Sequence, residues 1–291
     1  MKKFFSLILV ICMCFSCYAC AKDEEPNNNI STNNTNNSNN EEHNVDTPAP
    51  ETEASKPTKI TKGELQYPAQ NEEWEYDVYE NAVVLKDYLG KSEIVYIPET
   101  LEDLPVIELY GGDATKMNGC FSYSKIKTVY LSKNLQTVDG FAHSSVENIV
   151  FADDELLYFG FWTFWECDNI QNIDDIIAHI AGTCFPAIFT YSQSDALYSI
   201  TIPDRFTTID SFAFEGCSKL RILDIGNVEK VWNSAFEKTS LEELVVHNKD
   251  CVFVTFISSV YTDNLTVKGL AGSTVARLAS KYNLPFEIIE E

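Results

Sequence analysis

The amino-acid sequence predicts a repeat solenoid, mainly β with short helices. Two observations lead there. An apolar spelling, L-x-x-L-x-L, recurs along the chain, and a small residue followed by Phe recurs in phase with it. The spelling stands at Ile126-x-x-Val129-x-Leu131, Val146-x-x-Ile149-x-Phe151, Leu197-x-x-Ile200-x-Ile202, Leu220-x-x-Leu223-x-Ile225 and Leu241-x-x-Leu244-x-Val246. Weaker forms stand at Ser92-x-x-Val95-x-Ile97 and Thr262-x-x-Leu265-x-Val267, and Ile170-x-x-Ile173 meets Asp175 at its third site. The starts from Ile126 to Leu241 are 20, 24, 27, 23 and 21 residues apart, the period of stacked coils. Alternation inside each match puts its apolar side chains on one face of a short strand.

The elements follow in chain order. Residues 1–20, "MKKFFSLILVICMCFSCYAC", begin with Lys2 and Lys3 and continue in an apolar run from Phe4 to Phe15. That is the layout of a secretory signal, too short for a comfortable membrane span. Its end resembles a bacterial lipobox: Ala19 precedes Cys20, and Ala21 follows. The resemblance implies lipidation of Cys20 and anchoring in a lipid bilayer; plain cleavage after Ala19-Cys20-Ala21 is the alternative. Cys14 and Cys17 fall in the same exported segment and are not read as metal ligands.

Residues 21–63 are Asn, Ser, Thr, Pro and Glu with few large apolar side chains, so they cannot offset their chain entropy by burial. They are expected to form a disordered tether, with His43 solvated within it. Fully extended it would reach up to ~150 Å.

Residues 64–90 are expected to form an N-terminal hairpin cap, 91–265 the solenoid and 266–291 a C-terminal cap. Within the solenoid the second anchor comes five or six residues before each start: Cys120-Phe121, Gly140-Phe141, Thr163-Phe164, Ala213-Phe214 and Ala235-Phe236. The small residue lets the backbone approach the core, and the ring fills the space between coils. The stretch 171–196 carries a helical pattern at Ile173, Ile176, Ile177 and Ile180, with Asp174 and Asp175 favouring its N-terminus. "STVARLASKYN" reads as a helix capped by Ser273, with Val275, Leu278, Ala279 and Tyr282 on one face.

"SITIPDRFTTIDSFAFEGCSKLRILDI" resembles the BspA-type leucine-rich repeat, whose unit reads approximately S-I-T-I-P-x-x-V-T-x-I-G-x-x-A-F-x-G-C-x-x-L. "WEYDVYENAVVLKDYLGKSEIVYIPETLEDLPVIEL" resembles that family's opening hairpin, and "LTVKGLAGSTVARLASKYNLPFEII" its closing strand-helix-strand. The likeness spans residues 65–291 and departs from the pattern at 102–119 and 171–196. It implies a bacterial surface protein used in adhesion to proteins, cells or matrix; a glycan-binding or cell-envelope scaffolding protein is the alternative reading.

Composition narrows the function classes. A formal net charge of −23 disfavours nucleic acid, whose phosphates recruit Lys and Arg. His143, His179 and His247 fall on different coils, and no catalytic motif accompanies them, so the chain reads as a non-enzyme with no metal and no cofactor. The acidic pairs Asp153-Asp154 and Asp174-Asp175 lack the oxygen spacing of a calcium loop. Cys120, Cys167, Cys184, Cys217 and Cys251 lie outside C-x-x-C spacing, and Cys167 and Cys217 share a repeat position that points inward.

One stretch exceeds the needs of the repeat. "LYFGFWTFWEC" aligns with "TTIDSFAFEGC", so that Ile209, Phe212 and Phe214 correspond to Phe159, Trp162 and Phe164, all assigned to the core. Thr208, Ser211 and Glu215 correspond to Tyr158, Phe161 and Trp165. Polar sister positions are expected to face outward, which makes Tyr158, Phe161 and Trp165, with Trp162 at their margin, a candidate patch for a protein or glycan ligand. Either the patch is exposed, or the coil at 171–196 covers it. In the second case the strand face at Thr128, Tyr130, Ser199, Thr201, Arg221 and Glu243 is the candidate.

Overall fold

The structure is a computed structural model that describes residues 59–113, 116, 118–255 and 264–290. The expected signal segment, Cys20 and the tether through residue 58, with His43, lie outside the described residues. The chain divides after Lys59, and every element below belongs to the unit Ile60–Glu291.

The unit opens with an antiparallel meander, β1 (Leu65–Gln70), β2 (Trp74–Tyr79) and β3 (Val83–Tyr88). Strict alternation buries Trp74, Tyr76 and Val78 of β2. The folded unit reaches back into the expected tether. Lys62 Nζ lies 2.9 Å from Glu108 Oε2, and the Lys62 carbonyl accepts the Asn81 N–H at 3.1 Å.

There follow β4 (Ile94–Tyr96), β5 (Thr100–Leu101), β6 (Leu104–Leu109), β7 (Thr128–Tyr130), β8 (Thr137–Val138), β9 (Asn148–Val150) and β10 (Tyr158–Phe159). Helix α1 (Ile173–Ala178), β11 (Cys184–Phe185), a 3-10 turn Asp195–Tyr198, β12 (Ser199–Thr201), β13 (Thr208–Ile209) and β14 (Ile222–Asp224) come next. The chain closes with β15 (Lys230–Val231), β16 (Glu243–Val246), β17 (Val252–Phe253), β18 (Thr266–Gly269), helix α2 (Thr274–Tyr282) and β19 (Phe286–Ile288).

Most coils lay down two short strands. The L-x-x-L-x-L strands form parallel sheets β4-β7-β9 and β12-β14-β16-β18, the second extended by β19, directing Val95, Val129, Ile149, Ile200, Leu223, Leu244 and Val267 inward. The second strands form β6-β8-β10, joined to the meander through β3, and β11-β13-β15-β17. They bury Val138, Ile209 and Val231.

In the coil between β9 and β12 the helix α1 occupies the place of a first strand. This is the coil in which Asp175 breaks the apolar spelling; Ile173, Ile176 and Ile177 are buried instead.

A row of rings runs through the stack. Centroids are 5.9 Å apart for Trp74–Phe121, 5.0 Å for Phe121–Phe141, 5.5 Å for Phe141–Phe164, 5.9 Å for Phe164–Phe189 and 6.4 Å for Phe189–Phe214. Phe189 stands too far before Leu197 to fit the sequence rule of five or six residues, yet it takes its place in the row.

At the far end Ser273 Oγ accepts the Ala276 N–H at 3.2 Å and starts α2, which buries Val275 and Ala279 and leaves Tyr282 exposed. Cys120, Cys167, Cys217 and Cys251 are buried free thiols, and Cys184 is half-buried. The Cys167 and Cys217 thiols donate to the Phe141 and Phe189 carbonyls at 3.0 Å each, and burial pushes Cys167 up to about 12.

Candidate functional site

Tyr158 alternates with the inward Phe159 along β10, so it stands on the outer side of the second sheet, 49% exposed. Phe161, Trp162 and Trp165 lie in the turn that follows. Their rings form a continuous chain: Phe161–Trp162 at 4.6 Å, Trp162–Trp165 at 4.7 Å and Trp165–Tyr191 at 5.0 Å. Phe161 and Trp165 are half-buried, whereas Trp162 is only 8% exposed. Its Nε1 is buried without a hydrogen-bond partner among the described residues. The main chain fixes the turn through Trp162 N–H to the Ala187 carbonyl, 2.8 Å, and Trp165 N–H to the Trp162 carbonyl, 3.0 Å.

The sister coil corrects the premise on which these residues were singled out. Ser211 and Glu215 are buried, not outward. Glu215 tolerates burial because its charge is answered: Oε1 accepts the Tyr191 hydroxyl at 2.8 Å and Lys238 Nζ at 2.5 Å. Lys238 also donates to the Tyr191 hydroxyl. Burial disfavours the charge on Lys238, but its bonds to Glu215 and Tyr191 outweigh that and hold it above the usual lysine range. Burial likewise raises the Tyr191 phenol. Phe212, assigned to the core, is half-exposed and has a left-handed backbone, φ 66°, as does Trp162, φ 65°.

Tyr191 belongs to a row that the sequence analysis missed. The residues two positions after Phe121, Phe141, Phe164, Phe189, Phe214 and Phe236 are Tyr123, His143, Glu166, Tyr191, Gly216 and Lys238, and every one has positive φ. Only one is glycine. A Cβ at Gly216 would meet the Tyr191 ring, so glycine is required there. The other five hold φ of 51–61° against the steric preference of L-residues. The first three touch in turn: Tyr123 and His143 stack at 4.6 Å, and His143 Nδ1 lies 3.1 Å from Glu166 Oε2. Lys238 reaches the Tyr191 hydroxyl across Gly216. The signal was present in the repeat alignment, as large side chains where the repeat unit has Gly.

The three histidines do not converge: His143 faces Glu166, His247 Nε2 lies 3.3 Å from Asp224, and His179 bonds main-chain carbonyls. No group of three or more His, Cys, Asp or Glu side chains among the described residues is placed to hold a metal ion.

Residues 114–186 and 187–259 match the family model of the BspA type leucine rich repeat region, in six copies. A leucine rich cell surface protein from Faecalibacterium prausnitzii A2-165 shares the fold, with TM-score 0.57 and 17% identity over 72% of this chain and 56% of that one. The chain thus spans little more than half of that structure. Two further solved structures match less closely, each at 17% identity. The leucine rich repeat protein of T. pallidum has TM-score 0.44, covering 76% of this chain and 98% of that one. The pneumococcal vaccine antigen PcpA has TM-score 0.39, covering 72% and 51%. Comparison with curated proteins finds no match.

Proposed function

The chain belongs to the BspA-type leucine-rich repeat family, and from that membership we propose that it is a lipid-anchored bacterial surface protein whose solenoid binds other proteins, as an adhesin or in contact with host or matrix. The role is binding rather than catalysis. Stacked coils present a long continuous surface, and the fold it shares with a cell surface protein agrees with that use.

One observation carries the reading: the row of Tyr123, His143, Glu166, Tyr191 and Lys238, which runs into the Phe161–Trp162–Trp165 cluster. Five large side chains sit in backbone that favours glycine. Such strain lowers stability, and it is kept where the side chains have a use. Aromatic anchors beside polar groups are what protein interfaces concentrate.

The test uses the mature chain in pull-downs against host-cell proteins and against purified cell-wall glycans. Phe161→Ser with Trp165→Ser should weaken protein capture at least about tenfold, since central aromatics are each worth ~2 kcal/mol or more. Tyr123→Gly should raise stability by ~1 kcal/mol while weakening capture. Capture of glycans alone, or capture unchanged in both variants, would defeat the proposal. The anchor is tested by Cys20→Ser, which should release the protein into the medium; an unmodified N-terminus at Lys22 in the mature protein would rule the anchor out.

A further inference from the structure

The outer face of β4-β7-β9 ends beside α1 in a groove of about 680 Å³, lined among others by Tyr130, Asn148, Asp153, Asp154, Asp175 and His179. On this face Tyr96 is 68% and Tyr130 37% exposed. Their rings stack on each other at 4.5 Å, 12° from parallel, and Ile94 stands exposed beside them. Among the described residues the face is therefore an unpartnered apolar strip running into a groove with three carboxylates.

Its charge is one-sided. Among the described residues no lysine or arginine lines the groove. The nearby Lys127 and Lys133 are engaged at 2.9 Å each with Glu147 and Glu99. His179 is committed to the main chain: Nδ1 lies 2.7 Å from the Asp175 carbonyl, Nε2 lies 3.1 Å from the Asp153 carbonyl, and the ring stacks on Phe151 at 3.7 Å.

The strand edge next to the groove is closed. Asn172 donates Nδ2–H to the Ile149 carbonyl at 2.6 Å and accepts the Ile149 N–H at 3.1 Å, so it takes the bonds that an added strand would make. Whatever docks here is read by side chains on the face, not by strand addition.

We propose that this face docks an extended, arginine- or lysine-rich segment of a partner protein. Its aliphatic stems lie on the tyrosine strip with the cationic groups over the exposed ring, and the remaining cationic heads enter the groove among Asp153, Asp154 and Asp175. Charge complementarity selects this occupant; an anionic glycan would meet three carboxylates. The inference rests on the reading of the chain as a binding protein, but it names a different surface from the aromatic row.

The experiment is a titration of the full mature chain with a synthetic nonapeptide of alternating arginine and serine, with a neutral oligosaccharide in parallel. General attraction to a chain of net charge −23 is separated by paired variants. Asp154→Asn with Asp175→Asn, and separately Tyr96→Ser, should each weaken saturable peptide binding at least about tenfold. Glu72→Gln with Glu73→Gln removes the same charge from the β1–β2 turn and should weaken it less than about twofold. Phe161→Ser with Trp165→Ser should leave it unchanged, so this result and the pull-down can fail independently. Tyr96 is largely exposed, so its replacement does not disturb folding. Equal losses from the two acidic pairs, no loss from Tyr96→Ser, or saturable binding of the oligosaccharide in place of the peptide would overturn the proposal.

Discussion

Asp139 sits where its own coil and both neighbours crowd it. A Cβ at Gly111 or at Gly160, one on each side, would overlap the carboxylate, and these glycines make room for it. One oxygen accepts the Gly140 N–H at 2.6 Å and the Thr163 hydroxyl at 3.1 Å. Burial nevertheless outweighs those bonds and raises the group to about 6. A carboxyl raised above its unfolded value of ~3.9 binds its proton more tightly in the fold. Its contribution to stability is full below about pH 4 and is lost as pH rises through about 6. Asp139→Asn should therefore remove ~2 kcal/mol of pH dependence between pH 4 and 7, read as the difference between wild-type and variant urea midpoints. Parallel profiles would mean that Asp139 is solvated.

At the scale of elements, α1 decides where the first sheet stops. Asn172 occupies the N-cap position of α1, yet its side chain makes no cap bond and turns to Ile149 instead. The helix forgoes a cap so that the last strand of β4-β7-β9 does not end with open backbone groups. Asn172→Ala should cost ~1–3 kcal/mol in thermal unfolding, because it leaves the Ile149 N–H and carbonyl without partners. It should also speed exchange of the Ile149 amide and bring self-association through the uncovered edge. An unchanged Ile149 exchange rate would show that water replaces the amide without loss. At the C-terminal end the first-strand sheet is extended instead: β18 pairs in parallel with β19 across α2, whose Val275 and Ala279 cover the last coil.

Across the whole molecule the ring row from Trp74 to Phe214 links the meander to the coils, and each ring is both roof and floor for its neighbours. Phe214 touches Phe185 at 5.2 Å as well as Phe189, so Phe214→Ala should cost roughly 3–5 kcal/mol in chemical unfolding, well above the loss from the half-exposed Phe212→Ala. Equal losses would place the core elsewhere. The fold was legible in the sequence because a solenoid repeats one local solution: apolar spelling and Phe recur in phase, and each coil needs only its neighbours. The helix at α1 was legible for the same reason, as a change of period beside Asp174 and Asp175. The second strand of each coil was not singled out, since two residues such as Thr208–Ile209 carry no periodicity of their own. The aromatic residues were visible as residues, but their surroundings were not. Glu215 looked outward because it is charged, and only the stacking of three coils brings Tyr191 and Lys238 to it. Local pattern sets which side chains each coil offers inward. Which polar groups are also buried, and which rings meet across coils, is decided by partners more than twenty residues away, and that information exists only once the coils are stacked.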